Sequence, residues 1–535
     1  MRHLDRLLPA AALTLALVVM LPLGASPAER PVVIAVGGDV DSFNEYVAAS
    51  TLAFDLADQL YLTLMEESPD LSSGPPVFAP RLARSWEFGA DGLSVSFHLR
   101  EDVRWSDGRE TTAADVLYTW QSQTDPKLGW PDAELKTNIA GVETPDPRTV
   151  VFRLTKRTPY TLLEINEGHI LPRHALETIP RDQWHQTDFS KSLVTNGPYR
   201  LAAWSPGQSI ELTRNPDYYE KGLPRIGRVL FRIVIDPAIR LQQVFAGETD
   251  VLEGVPPEAV TTVTTDRQLR LARFDQRMYT YVCWNNRRPL FADPKIRRAL
   301  TMALDRDEML AVLAKGMGRP ATGPMVSSLW AASRTLQPLP RDPAASRRAL
   351  KDAGWEDRDG DGVVEKDGKP FVMELEFNRG NTLRENLALR VASQLSQIGV
   401  KAVPRAVEWA AFQKKHRDGD FDAFVASRIV PTRVDLESFV TGDPSNYAGY
   451  SSAEVDALVI RARQAATLEE ARPLWEKAQE IIVRDQPVTF LFEQDRLYAV
   501  SRRIDGVEPG PLGLLGTLRK WRIGSAPASD PTTGD

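Results

Sequence analysis

The sequence predicts an α/β protein of two or more lobes with an additional small α+β unit, and three observations carry that expectation. With 535 residues, the chain is longer than one core can organise, because single cores stop growing at about 250–300 residues. From residue 281 onward, strand-like runs alternate with long helical patterns, as an α/β lobe requires. Between residues 71 and 195, short alternating strands prevail around one clear helix start, which marks a separate α+β unit.

The elements follow in order. Pro31 to Val36 reads as a strand, and Ala53 to Met65 as a helix with Phe54, Ala57, Leu60, Tyr61 and Leu64 on one face. Pro69, Gly74, Pro75 and Pro76 then mark a loop leaving the first lobe. Val95, Phe97 and Leu99 alternate within Ser94 to Arg100, Asp107-Gly108 is a turn, and Val150 to Leu154 is a further strand. Thr112 and Asp115 have the spacing of a capping box, so a helix opens there. Strands return at Ile210 to Thr213 and Val229 to Ile235, followed by a helix from Ala238 to Ala246 that Gly247 closes.

Tyr279 to Trp284 announces the next lobe. Asp293-Pro294 opens a helix as N-cap and first residue, with Ile296, Ala299, Leu300, Ala303 and Leu304 as its buried stripe, and Asp305 with Glu308 opens another. Beyond them the pattern gives a helix from Pro343 to Ala353, a strand from Phe371 to Phe377, a helix from Thr382 to Ile398, and strands at Val400 to Val403 and Phe421 to Ala426. Helices from Ala453 to Arg463 and Leu468 to Val483 are opened by Ser451 with Glu454 and Thr467 with Glu470.

Composition narrows the functional classes. The chain is 42% hydrophobic and 26% charged, as soluble globular proteins are. At the N-terminus, Arg2 and Arg6 precede an apolar run from Leu7 to Leu23 and then the small residues Ala25, Ser26 and Ala28, the order of a secretory signal peptide. Cleavage after Ala25 or Ala28 fits, with Ala28 preferred because Ser26 then stands two positions before it, and with no cysteine placed after the apolar run to carry a lipid a free periplasmic protein is the expected product. The formal charge of −7 becomes −8 once Arg2, Arg6 and Asp5 are removed, and no long basic run is present, so nucleic-acid binding is not expected. Cys283 is the single cysteine and sits in the apolar run Tyr281-Val282-Cys283-Trp284, as a core residue would.

Several segments carry a resemblance. Leu82-Ala83-Arg84-Ser85-Trp86-Glu87 continues through Phe97-His98-Leu99-Arg100 and Val103-Arg104-Trp105-Ser106-Asp107-Gly108 to Thr112-Ala113-Ala114-Asp115-Val116. Then come Asn196-Gly197-Pro198-Tyr199, Asn215-Pro216-Asp217-Tyr218-Tyr219, Gly247-Glu248-Thr249-Asp250, Phe291 to Arg306, Tyr450 to Leu458 and Asp485-Gln486-Pro487. In this order they resemble the extracellular solute-binding proteins of ABC importers that include the oligopeptide-, dipeptide- and nickel-binding proteins. The resemblance implies a periplasmic-binding-protein-like α/β fold: two lobes with a hinge and cleft, plus a small α+β domain inserted in the first lobe. It also implies a solute captured between closing lobes, a peptide or peptide-like one in most relatives, and delivery to an ABC permease in the inner membrane. On that basis the expected division is a signal peptide over 1–28, lobe I over 29–70, 196–280 and 495–524, the inserted domain over 71–195, lobe II over 281–494, and a flexible tail over 525–535. The mature chain is expected to act as a monomer without a cofactor.

The candidate ligand-binding residues follow from the same resemblance. Trp409, in Glu408-Trp409-Ala410-Ala411-Phe412, matches a cleft tryptophan whose flat face suits sequence-tolerant packing. Where peptide binders carry a tryptophan and then an amine-pairing aspartate, this chain reads Ser427-Arg428-Ile429-Val430-Pro431-Thr432-Arg433-Val434-Asp435. Only Asp435 is left to stand in for the aspartate, while Arg428 and Arg433 favour an anionic ligand group through bidentate hydrogen bonds. Asn285, Asn286, Asn446, Tyr447 and Tyr46 match polar positions near the lobe interface.

Rival functions find less support. The six histidines form no HExxH pattern and no GxSxG elbow is present, which speaks against an exported hydrolase, and no histidine is placed to ligate a metal or haem cargo. Asp357-Arg358-Asp359-Gly360-Asp361-Gly362 with Glu365 has the first half of a calcium loop, but Gly368 stands where the bidentate glutamate belongs, so an acidic turn is expected.

Overall fold

The computed structural model describes residues 30–68, 74–434, 436–508 and 513–524. The signal-peptide segment, the C-terminal tail and Asp435 therefore lie outside the described residues.

An 11-stranded sheet runs through the molecule. Ten of its strands form one path: β1 (Val32–Val36), β2 (Tyr199–Ser205), β3 (Ser209–Arg214), β4 (Arg228–Ile233), β5 (Val251–Glu253), β6 (Leu269–Trp284), β7 (Val372–Asn378), β8 (Lys401–Val407), β9 (Ala423–Ile429) and β10 (Val488–Ser501). Their spatial order is β8-β7-β9-β6-β10-β5-β1-β4-β3-β2, and the short strand Gly318–Pro320 pairs with β10. The outer parts of this sheet are two lobes. In one, β1 runs parallel to β4 and β5; in the other, β7 runs parallel to β8 and β9. The antiparallel pair β6 and β10 is long enough to belong to both.

The cores divide accordingly. One cluster unites the β1 side of the sheet with the inserted four-stranded sheet, whose strands Ala83–Phe88, Ser94–Leu99, Thr149–Leu154 and Ile139–Asp146 lie in that order. A smaller cluster of Val244, Val255, Val263 and Leu497 covers the other face of that lobe. Two further clusters lie on the two faces of β6, β7 and β9, one containing Cys283, Phe424 and Trp475 and the other Val282, Trp284 and Leu375.

Most of the segments that carried the resemblance are framework. Trp105 is buried and its indole N–H donates to Asp115, which also receives the Thr112 amide at 2.8 Å in a capping box. Asp250 accepts the Val33 amide at 2.8 Å and holds Arg503 in a bidentate pair, which fixes the start of β1. Arg297 donates to the carbonyls of Phe291, Ala292, Asp485 and Gln486, tying its helix to the turn that enters β10.

Three local expectations change. The first helix, α1, spans Thr51–Leu60 rather than reaching Met65. The Leu60 carbonyl instead receives the Asn196 and Gly197 amides, and Gly197 packs so close that a Cβ there would lie 2.5 Å from the Leu60 carbonyl carbon. The helix over Ala453–Gln464 is capped by Ser452, whose hydroxyl accepts from Val455, not by Ser451. Residues 409–418, unassigned from sequence, form a helix, α2 (Trp409–Asp418), capped by Glu408.

Candidate functional site

The chain direction of the strands builds a cleft. Ile429, the end of β9, lies opposite Met278, while Ala423, its start, lies opposite Trp284. The C-terminal ends of β7, β8 and β9 therefore point at the middle of β6. On the other lobe Glu253, the end of β5, pairs with Tyr498 nearer the middle of β10, and Val251 pairs with Val500 farther away. The C-terminal ends of both parallel sets thus face each other, and ligands of open α/β sheets bind outside those ends.

The floor of the cleft is the crossing pair. Its register breaks between the pairs Asp275–Asp495 and Tyr279–Glu493, leaving Gln276, Arg277 and Met278 in a bulge. Around the bulge Arg273 pairs with Asp495, and Arg319 pairs with Asp275 and Glu493. Glu493 also accepts the Ser327 amide and hydroxyl at 2.8 and 2.7 Å. Burial raises the Glu493 and Asp495 carboxyls, with Ser327 opposing at the first and Arg273 at the second.

One wall comes from the β1 lobe. The turn Gly37-Gly38-Asp39, the start of α1 and the residues Arg240, Glu253, Arg496 and Tyr498 line a cavity of about 440 Å³. Arg496 pairs with Glu253 and lies over the Tyr498 ring. Asp55 of α1 opens into the same cavity; burial pushes its carboxyl up to about 7, with Arg496 opposing and Asp58 adding. Ile235 stands 80% exposed just beyond β4.

The other wall comes from the β9 lobe. Trp409 begins α2 at the end of β8, is 49% exposed and stacks on Phe412 at 5.9 Å. Arg428 is half-buried on the face of β9 that carries Tyr281, and Ile429 beside it is 73% exposed. The loop after β9 then touches the opposite lobe and the inserted domain. Thr432 accepts from Arg277 and bonds Glu67, whose carboxyl is raised by burial with Arg277 opposing. The Val434 amide donates to the Tyr160 hydroxyl at 2.9 Å, and the Tyr160 ring stacks on Trp475 at 5.7 Å. Arg433 faces the Asp132 carboxyl of the inserted domain.

Trp409, Arg428 and Arg433 lie at or just beyond the C-terminal ends of β8 and β9, and the other described candidates lie elsewhere. Asn285 and Asn286 follow the end of β6 farthest from the hinge. Asn285 donates to the Gly419 and Phe421 carbonyls, and Asn286 to those of Trp284 and Pro487. Asn446 donates to the Val440 and Tyr450 carbonyls and, with Tyr447, is held by Arg287 in that same distant region. These four are corrected to turn residues, because the three asparagine carboxamides donate to main-chain carbonyls and the Tyr447 carbonyl accepts from Arg287, at the pole of the lobe opposite the cleft. Tyr46 is also corrected: it is 1% exposed, its hydroxyl donates to the His169 carbonyl at 2.7 Å and accepts from Gln123, and its ring packs edge-on against Trp130.

Sequence reasoning missed Asp55, Arg240, Glu253, Arg496, Glu67 and Arg277. One usable signal existed, since Asp55 and Asp58 interrupt the otherwise apolar Leu52-Ala53-Phe54-Asp55-Leu56-Ala57-Asp58. In the acidic turn, the Asp357 carboxylate accepts the Gly360 and Gly362 amides while Glu365 accepts that of Arg358, so the turn is held by its own acids.

Comparison with known proteins follows the same geometry. The family described as "Bacterial extracellular solute-binding proteins, family 5 Middle" matches residues 77–446. The oligopeptide-binding protein AppA of Bacillus subtilis is 28% identical, with 90% of each chain covered. Its structure with a nonapeptide superposes with a TM-score of 0.75 at 27% identity, covering 93% of this chain and 99% of that one. The glutathione-binding protein GsiB of Salmonella typhimurium is 26% identical over 90% of this chain and 92% of its own. NikZ of Campylobacter jejuni, solved with Ni(L-His), shares the fold with a TM-score of 0.76 at 23% identity, covering 92% and 99%.

Proposed function

The chain belongs to the bacterial extracellular solute-binding proteins of family 5, and from that premise we propose that it captures a peptide or peptide-like solute for an ABC importer. Members of this family are extracytoplasmic ligand carriers. The observation that carries the reading is the cleft itself: both sets of strand ends converge on a bulged pair of crossing strands, so a bound solute touches both lobes and its binding energy can close them. The exposed Trp409, Ile429 and Ile235 beside charged groups give the mixture of apolar and polar wall that a peptide needs. AppA and GsiB, both named for peptide ligands, align along nearly the whole chain.

The finer parts of the reading are proposals of the same kind. Residues 1–28 direct export and are removed, the mature protein works as a periplasmic monomer, and it delivers its solute to an inner-membrane permease without chemical turnover. The lobes are 29–70 with 196–280 and 495–524, and 281–494, with 71–195 inserted; the bulge at 276–278 and its partner residues 493–495 support those crossing points. Arg428 and Arg433 hold an anionic group of the ligand, with Trp409 packing beside it and Asp435 close in sequence.

Native mass spectrometry of protein purified without denaturation tests the class of ligand. Peptide masses released on unfolding are the expected result. A metal complex or haem would overturn the peptide reading, and release of cleaved peptides from an added intact one would make the protein a hydrolase. The anionic subsite fails if Arg428→Ala and Arg433→Ala both leave the affinity for the released peptide unchanged.

A further inference from the structure

Resting on the peptide reading, we infer that the cavity between α1 and the C-terminal ends of β1 and β5 is a subsite for an organic ammonium group of the ligand, with Asp55 as its specificity-determining carboxylate. The cavity has about 440 Å³ of space and opens at the hinge, beside the floor of the cleft. Its polar groups differ in how far they are already engaged. Arg496 is paired with Glu253, Arg240 donates to the Val234 and Ile235 carbonyls, and Asp39 accepts from the Trp204 indole and the Gly207 amide. Asp55 alone among these receives no hydrogen bond among the described residues. A largely buried carboxylate without a donor is costly, and a donor that also carries positive charge relieves the cost most.

The sign of the ligand group follows from that difference. The charged groups facing Asp55 are Arg496 from β10, Asp58 from its own helix, and Glu253, Arg240 and Asp39 around the cavity. The donors of Arg496 and Arg240 are met by Glu253 and by carbonyls, and the lining holds two guanidiniums against the three carboxylates Asp39, Asp55 and Glu253, which leaves an acceptor rather than a donor to be satisfied. Gly37 keeps the wall thin there: its Cβ would stand 3.0 Å from the Arg240 guanidinium. Across the cleft, Arg428 is half-buried on β9, while Arg433 and Val434 turn to Asp132 and Tyr160 of the inserted domain. The ammonium can come from the peptide's amino terminus or from a lysine side chain; the chemistry at Asp55 is the same.

Three pools of pentapeptides built from Ala, Leu, Phe, Ser and Lys separate the sources: one unmodified, one N-acetylated, one with Lys replaced by norleucine. Their affinities for the full mature chain and for Asp55→Asn are measured at about pH 6 and about pH 8. The wild type is expected to bind the unmodified pool roughly tenfold or more tightly than one of the other two. That preference should widen from the lower to the higher pH, because the ammonium favours the ionised carboxylate. In Asp55→Asn both the preference and its pH dependence should vanish, with no loss of thermal stability. Weaker binding of the acetylated pool assigns the ammonium to the amino terminus, and weaker binding of the norleucine pool assigns it to the lysine side chain. If Asp55→Asn binds all three pools as the wild type does, the inference falls and the peptide reading stands; if no pool binds the wild type, both fall.

Discussion

A buried histidine and a partly buried aspartate in the first lobe behave in opposite ways, and both can be read by titration. Burial pushes the His169 imidazole down, but the Glu45 carboxylate and the hydrogen bond to Asp58 outweigh it and hold it up at about 10. The folded state therefore keeps a proton that the unfolded state loses, and this contribution is full below about pH 6.5 and lost as pH rises through about 10. His169→Leu takes from Glu45 its ion-pair partner and leaves Asp58 with Arg81 alone, and should cost roughly 3–5 kcal/mol near neutral pH by chemical denaturation. Asp55 is the reverse case, raised to about 7 in the folded state. Its favourable proton uptake is complete below about pH 4 and lost as pH rises through about 7. Asp55→Asn should accordingly gain stability over the wild type as pH rises across that window, by roughly 1–3 kcal/mol at the plateau. A constant difference between the two proteins across the window would contradict the assignment. Trp409, half-exposed at the start of α2, should when replaced by alanine weaken pentapeptide binding by roughly tenfold. Its unfolding midpoint should move little, because about half of the ring is already exposed.

At the scale of elements, the hinge is where packing is least forgiving. Gly318 sits at φ 143° beside β10, and a Cβ there would lie 2.1 Å from the Glu493 carbonyl. Gly318→Val should destabilise by roughly 1–3 kcal/mol, and hydrogen exchange should report the loss first along residues 490–497. The hinge was also where sequence patterns failed. Helices with clear caps, such as those opened by Asp293, Asp305 and Thr467, were legible to within a few residues, because each cap leaves a local mark. Of β6 only Tyr279 to Trp284 was legible, and β10 was not. In Arg270, Arg273, Asp275 and Arg277, and in Glu493, Asp495 and Arg496, charges break the apolar alternation. Those residues pass between two cores and meet the cleft, so their side chains answer to partners across the hinge rather than to one buried face. The same reason hid Asp55, whose neighbours in the cavity include Glu253 and Arg496, about 200 and 440 residues away in sequence. Asn285 and Asn446 misled in the opposite sense, since polar residues next to turns look alike whether they face a cleft or a loop carbonyl.

For the whole molecule, one sheet shared by two lobes makes closure a bend in two strands rather than a rearrangement of cores. The loop after β9 already reaches the other side through Thr432, Arg433 and Val434, while the cavity holding Asp55 is lined by one lobe alone. A ligand spanning both walls would complete the contacts that the cavity side lacks, and closure is the shape that a permease can recognise. The most direct test is the distance between spin labels on Ile239→Cys in the first lobe and Val403→Cys on the outer strand of the second. Both sites are exposed, and the native Cys283 is buried away from the label. On adding the unmodified pentapeptide pool, the distance distribution should narrow and move to shorter values. A distribution that stays unchanged while calorimetry shows the pool bound would contradict capture by lobe closure.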